Sequence, residues 1–204
     1  MNIDTNKKFW EKYAKLYKYV IEKTNQKLYK NICKEIIPKL NKDQKVLELA
    51  CGSGQLTDVL ASKVNTWIAT DFSPNMVNET SKRVKLQNVT FEVCDATKTN
   101  YPDNSFDVII ISNALHIMPN PDKALKEIKR ILKEDGIVIA PTFVFEGKIN
   151  KPLLYIAEKL GHKVFYKWDS NAYSNFVKQN GFTVIDKKVI PGNLQPACVL
   201  TLKK

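Results

Sequence analysis

No stretch of the 204-residue chain approaches the roughly 20 consecutive apolar residues that a membrane-spanning helix needs, which excludes a helical membrane protein. Cysteine is sparse: Cys33, Cys51, Cys94 and Cys198 stand far apart, with no CxxC spacing and no nearby histidine to complete a metal site. Free thiols and no bound metal are therefore expected. The opening residues Met1 to Lys8 lack the basic-then-apolar order of a secretory signal, so the expected compartment is the cytoplasm. Arginine is nearly missing as well. Of 32 basic residues only Arg83 and Arg130 are arginine, whereas readers of phosphates and base edges lean on the forked guanidinium. A formal charge of +11 is thus weak support for a nucleic-acid partner.

That charge is also unevenly placed. Residues 1–45 carry +7 and residues 145–204 carry +6, while residues 46–144 carry −2. The basic flanks enclose a slightly acidic centre. With 44% hydrophobic and 26% charged residues the chain can bury a sizeable core, and its length suits one domain rather than two. The expected division is a helical cap over 1–45, a core over 46–145, an insertion over 146–168, and a closing helix and hairpin over 169–204.

Hydrophobic spacing supplies the elements. Phe9, Trp10, Tyr13, Leu16, Tyr17, Val20 and Ile21 recur at steps of three and four, as in an amphipathic helix, and Leu28 to Ile37 continues the pattern up to Pro38. Short apolar runs then alternate with helical stretches: strand Val46–Ala50, helix Leu56–Lys63, strand Trp67–Thr70, helix Pro74–Leu86, strand Val89–Cys94, strand Phe106–Ile111, helix Pro121–Leu132 and strand Gly136–Phe145. Such alternation predicts a doubly wound, mostly parallel α/β sheet with helices on both faces. After a Lys-rich aromatic stretch, helix Ala172–Asn180 stops at Gly181. Strands Phe182–Ile190 and Ala197–Leu202 follow, joined by Pro191-Gly192-Asn193, and so short a link makes the final pair antiparallel.

Chemistry-bearing residues gather where the strands end. The first strand carries Glu48, and Gly52 and Gly54 follow in a turn before a helix, where glycine lets the backbone approach a ligand closely. A dinucleotide loop would carry a third glycine where Thr57 stands, and an acid such as Glu48 suits a cationic ligand better than pyrophosphate. Asp71 closes the second strand, placed to accept ribose hydroxyls or else to cap the next helix together with Ser73. Asp95, beside the small Ala96, closes the third.

Three acids on successive strand ends behind one glycine loop form a constellation, and with it the chain resembles the class I S-adenosylmethionine-dependent methyltransferases. The resemblance runs through VLELACGSGQL (46–56), TDFSPNM (70–76), FEVCDAT (91–97), SFDVIIISNALHIM (105–118) and LKEDGIVIAPTF (132–143), about half the chain. It is nearest to the branch acting on quinones, lipids and other metabolites. The resemblance implies a Rossmann-like seven-stranded sheet with an antiparallel last strand, and S-adenosylmethionine as cofactor with S-adenosylhomocysteine as product. It implies that Glu48, Ala50, Gly52 and Gly54 hold the methionine part and that Asp71 holds the ribose. Phe72 and Met76 would pack on the adenine, Asp95 and Ala96 would read its edge, and Asn113 would lie beside the methionine or sulfonium. Ala50 departs from the glycine most common there.

For the acceptor, His116 is the candidate general base. Trp10, Tyr13 and Tyr17 lie on one helical face where the resemblance puts an active-site cover, with Tyr17 at the cofactor and Trp10 and Tyr13, along with His116, at the substrate; simple core packing explains the same stripe. His162, Tyr166 and Trp168 are read as packing residues. The basic, aromatic flanks favour an anionic or amphiphilic acceptor, with peripheral membrane contact. A nicotinamide-dependent oxidoreductase and a cofactor-binding protein without turnover stay open as alternatives.

Overall fold

A computed structural model describes residues 25–147, 149, 152 and 163–204, and places seven strands in one sheet of order β3-β2-β1-β4-β5-β7-β6. The strands are β1 (Lys45–Leu49), β2 (Thr66–Asp71), β3 (Val89–Val93), β4 (Phe106–Ile111), β5 (Leu132–Phe143), β6 (Thr183–Ile190) and β7 (Ala197–Lys203). The helices are α1 (Gln26–Ile36), α2 (Thr57–Leu60), α3 (Pro74–Arg83), α4 (Pro121–Ile131) and α5 (Ser170–Gln179). Strands β1 to β5 pair in parallel, whereas β7 runs antiparallel to both β5 and β6, so the sheet expected from the alternation and the closing hairpin is the one found.

The central strands are apolar on both faces because both are covered. Val46, Val108 and Ile110 face a core shared with Ile32 of α1, Leu60 of α2 and Trp67. Leu47, Ile109 and Ile111 face the opposite core, with Ile128 of α4 and Tyr173 of α5. In α4 the buried residues Pro121, Ala124, Leu125, Ile128 and Ile131 follow the three-and-four spacing of one helical stripe. Asp169 caps α5 by accepting from the amides of Asn171 and Ala172.

Several boundaries differ from the sequence reading, and two of them have a clear physical reason. Helix α3 stops at Arg83 rather than Leu86 because Val84 turns extended (φ −97°, ψ 123°) and buries its side chain. Strand β5 begins at Leu132 rather than Gly136: Leu132 pairs with Phe106, and the ladder shifts register before Val108 meets Ile137. The aromatic stretch over residues 5–21 that is expected to be helical, with Trp10, Tyr13 and Tyr17, lies outside the described residues, as do His162 and residues 153–161 of the insertion. Among the described residues no helix is long and apolar enough to cross a membrane, no group of side chains is placed to hold a metal, and all four cysteines are free.

Strands β2 and β4 flank β1, and their connections leave toward opposite ends of the sheet. This reversal opens a crevice at the carboxyl ends of β1 and β4, where open α/β sheets bind their ligands.

Candidate cofactor cleft

The loop after β1 forms the floor of that crevice. Ala50, Gly52 and Gly54 take φ of 55°, 58° and 82°, so the chain reverses sharply through left-handed positions. At Gly54 even a Cβ would stand 2.8 Å from the Thr80 methyl group, so the missing side chain lets α3 close against the loop. Thr80 Oγ1 donates to the Gly52 carbonyl at 2.7 Å, and the Cys51 amide donates to the Thr70 carbonyl at 2.8 Å. The loop is therefore held from β2 and from α3 before any ligand arrives, which limits the ordering cost of binding. Burial pushes the Cys51 thiol well above its ordinary range, so it is not a nucleophile.

Two carboxyl groups beside this loop occupy different layers. Asp71 is buried at the end of β2, accepts from the Gly52 amide through Oδ2 (3.0 Å) and from the Ser73 amide through Oδ1 (2.9 Å), and still lines the cleft. Each oxygen keeps acceptor capacity, which suits two neighbouring hydroxyls. Burial raises its pKa to about 6, against the lowering pull of those backbone N–H groups. Glu48 lies on the face of β1 that packs on α1 and α2, and its Oε2 accepts from Thr57 Oγ1 (2.5 Å) and Trp67 Nε1 (3.0 Å). It is 1% exposed and does not line the cleft, and burial raises its pKa to about 7. Thr57, which stands where a dinucleotide loop carries its third glycine, thus ties Glu48 beneath the loop.

Beyond Asp71 the wall is apolar. Phe72 and the buried Met76 line the cleft, and so does the buried Ala96. Asp95 is exposed and turns its Oδ1 back to the Thr97 amide (2.8 Å) and hydroxyl (2.7 Å), which leaves Oδ2 for a ligand. This side offers a flat apolar slot with one acid at its edge.

The opposite wall is the segment after β4. Asn113 is a non-glycine residue with φ 52°; its amide donates to the Pro141 carbonyl at 2.8 Å and its Nδ2 to the Tyr29 hydroxyl at 3.0 Å. Asn113 Oδ1 and Ser112 Oγ are buried, and among the described residues neither has a hydrogen-bond partner, although both residues line the cleft. His116 is 2% exposed, with Nδ1 at 3.0 Å from Thr142 Oγ1 and its ring edge-on to Phe143. Among the described residues it does not line the cleft itself.

Of the expected cofactor residues, the structure brings Ala50, Gly52, Asp71, Phe72, Met76, Asp95, Ala96 and Asn113 together in one cleft, with Glu48 and Gly54 beneath it. Tyr17, Trp10 and Tyr13 lie outside the described residues. Tyr166 and Trp168 stack on one another at 4.7 Å and on Phe176, which is the packing role expected of them. The sequence reading missed Cys94 and Thr97 near Asp95, Ser112 and Ala114 beside Asn113, the run from Ile117 to Asn120, Lys123 and Phe165. Proximity to Asp95 and Asn113 was an available signal for the first four; Phe165 carries none.

Comparison with known proteins agrees with this geometry. Residues 47–140 match a family described as methyltransferase domain. The chain is 34% identical over 151 residues to the demethylmenaquinone methyltransferase of Lactobacillus johnsonii, covering 71% of this chain and 57% of that one. It is 36% identical over 116 residues to the ubiquinone/menaquinone biosynthesis C-methyltransferase UbiE of Hydrogenovibrio crunogenus, covering 53% and 44%. The chain therefore spans about half the length of these curated relatives. Its fold is shared with the Burkholderia thailandensis 1,6-didemethyltoxoflavin-N1-methyltransferase solved with 1,6-didemethyltoxoflavin and S-adenosylhomocysteine (TM-score 0.76, 16% identity, 98% of this chain and 88% of that one).

Proposed function

We propose that this chain, whose residues 47–140 match a methyltransferase-domain family, is a class I S-adenosylmethionine-dependent methyltransferase that moves a methyl group from S-adenosylmethionine to a small-molecule acceptor. The observation that carries the reading is the pairing of Asp71 with Asp95 across an apolar slot, above a preformed loop. The residues fit the cofactor: Asp71 offers free acceptor positions to two ribose hydroxyls, Phe72, Met76 and Ala96 enclose a flat base, and Asp95 Oδ2 can accept from an exocyclic amine. When bound, the cofactor supplies an electrophilic methyl group on a sulfonium.

The protein's own share of the chemistry is orientation and exclusion of water. Displacement at a methyl carbon needs donor and acceptor in line, and holding them so removes much of the entropic barrier. Ala50 and Asn113, at the ends of adjacent strands, border the space where the amino-acid end would lie, while Phe165 and Met118 add apolar surface to the mouth. Where the acceptor atom carries a hydrogen, as a ring carbon does, its proton is released to solvent as the methyl group takes its place.

For the acceptor we propose a hydroxylated aromatic ring of the quinone class, in its reduced form. Two relatives are named for methylation of quinones, and a sulfonium methyl needs a nucleophile, which a hydroquinone carbon is and an oxidised quinone carbon is not. The lysine-rich flanks favour an anionic or amphiphilic version of such a molecule.

The test is incubation of the full chain with S-adenosylmethionine and a chemically reduced naphthoquinone, followed by mass analysis. Gain of one methyl group on the ring supports the proposal. Retained cofactor binding without a methylated product across hydroquinone and other hydroxylated aromatic acceptors would remove the quinone assignment and favour a binding protein without turnover.

A further inference from the structure

The segment between β3 and β4 brings Asp95, Ala96 and Thr97 to the cleft and is then fastened to α4. A turn closes on Asp95, whose carbonyl accepts from the Lys98 amide at 3.1 Å. The next residue, Thr99, is buried and gives both its amide (2.8 Å) and its hydroxyl (2.7 Å) to Glu127 Oε1 on α4, 28 residues away. Arg130, three residues further along that helix, donates to both oxygens of the same carboxylate, from Nη2 to Oε1 at 2.6 Å and from Nε to Oε2 at 3.0 Å. Its remaining nitrogen, Nη1, reaches Asp103 Oδ1 at 2.6 Å, and the Asn104 amide donates to the Arg130 carbonyl at 3.1 Å. One helix thus holds the segment at two points.

An exposed ion pair between neighbours on a helix contributes little, but this one differs. The Glu127 side chain is only 14% exposed, and the guanidinium pulls its carboxyl down to about 2, so it is charged at any ordinary pH. A lysine could not make the same contacts, because the planar guanidinium serves two carboxylates at once. Arg130 is one of two arginines among 32 basic residues, and the other basic positions of α4 are all lysine. Lys123, one turn before Glu127 on the same helix, lines the cleft, whereas Thr99, Asp103, Glu127 and Arg130 do not.

We infer that Glu127 and Arg130 are positioning residues for base recognition: by fixing Thr99 and Asp103 they set where the Asp95 turn stands, and so how sharply the cleft separates a base that carries an exocyclic amine from one that does not. This rests on the proposed use of S-adenosylmethionine and adds residues outside the cleft to it. The Thr97 amide orients the Asp95 carboxylate within its turn, and the clamp on α4 places that turn against the rest of the cleft. Since Oδ1 is taken by Thr97, Oδ2 alone is left to read the base. A displacement of about 0.5 Å carries an ordinary N–H···O contact to the limit of its range, so one acceptor facing one donor depends closely on placement.

The experiment titrates S-adenosylhomocysteine and S-inosylhomocysteine, in which an oxygen replaces the exocyclic amine, into the full chain by calorimetry. The same pair is titrated into Arg130→Lys, into Thr99→Val, and into Asp95→Asn with and without Arg130→Lys. Thermal melts report whether each variant folds, and Thr99→Val, which removes one hydroxyl and no charge, carries the test should Arg130→Lys fail to fold. The wild-type chain is expected to prefer the amino-bearing base by about tenfold or more, because the oxygen of the other faces a carboxylate. That ratio should fall by about fivefold in Arg130→Lys and about threefold in Thr99→Val, while Arg130→Lys should leave it unchanged in the Asp95→Asn background. A purely structural role would lower stability, or affinity for both ligands alike, and keep the wild-type ratio. That outcome in a folded variant, or a wild-type chain that binds both ligands equally, would overturn the inference. Failure of the wild-type chain to bind either ligand would instead overturn the cofactor reading beneath it.

Discussion

Above β2 and β3, the cleft is built from acids that the strands deliver and the backbone holds; above β4, it is built from neutral polar groups whose orientation depends on a distant helix. Asp71 ends β2 and Asp95 lies two residues past β3; each is braced by an amide two residues on, and Asp71 by that of Gly52 as well. Asn113 and His116 depend on Tyr29, Pro141 and Thr142, which lie 26 or more residues away in sequence. The first half is locally encoded and the second is a tertiary construction. The two buried carboxyls at the loop sharpen the contrast, because Glu48 faces inward to Thr57 and Trp67 while Asp71 faces the ligand space.

The largest effect that would break this contrast is at Asp71. Asp71→Ala removes the acceptor for the ribose and leaves the Gly52 and Ser73 amides without their partner. It is expected to lower S-adenosylmethionine affinity by about a hundredfold or more and stability by about 1–3 kcal/mol, read by calorimetry and by urea unfolding. Glu48→Gln is the control on the inward side. A glutamine oxygen can still accept from Thr57 and Trp67, so cofactor affinity should stay within about threefold of wild type. Comparable losses in the two variants would mean that the two carboxyls are not separated by role.

A second contrast is in pH. Folding raises the pKa of Asp71 to about 6 and of Glu48 to about 7, above the values of 3.8 and 4.5 from which they start. The folded state therefore binds more protons than the unfolded state between those values, and the stability these groups contribute is full below pH 3.8 and is lost as pH rises through 6 and 7. Cofactor affinity should move the other way, weakening as pH falls below about 6, since a protonated Asp71 offers one acceptor fewer. Urea midpoints and binding constants measured from pH 5 to 8 would show the opposed trends, and Glu48→Gln should flatten the upper part of the stability trend alone. Parallel trends would contradict the assignment.

The smallest effect concerns the loop itself. Alanine at φ 55° costs about 1–2 kcal/mol, of which the greater freedom of glycine in the unfolded chain returns about 0.5–1, so Ala50→Gly should raise stability by about 0.5–1 kcal/mol. A decrease in a urea titration would show that the Ala50 methyl group has packing value greater than its strain.

The same contrast explains what the sequence made legible. The sheet could be read because buried strands are uniformly apolar and helices carry periodic stripes, and the strand-end acids because each lies next to such a run. Tyr29 could not be assigned to the cleft, since its stripe with Leu28, Ile32 and Ile36 reads as core packing and its hydroxyl partner, Asn113, is 84 residues away in sequence. His116 was plausible by residue type and position, yet the short turn over Leu115–Ile117 directs its ring to Thr142, and no periodicity encodes that direction. Phe165 reaches the cleft through an irregular segment in which its amide donates to the His116 carbonyl, a contact across 49 residues.

The most direct test of the central claim is a calorimetric titration of the wild-type chain with S-adenosylmethionine at pH 7.5. The account predicts a single site with a dissociation constant on the order of micromolar, and loss of that heat in Asp71→Ala while the variant still unfolds cooperatively. A folded wild-type chain that gives no binding heat at any temperature tried, and no thermal shift with excess ligand, would contradict it.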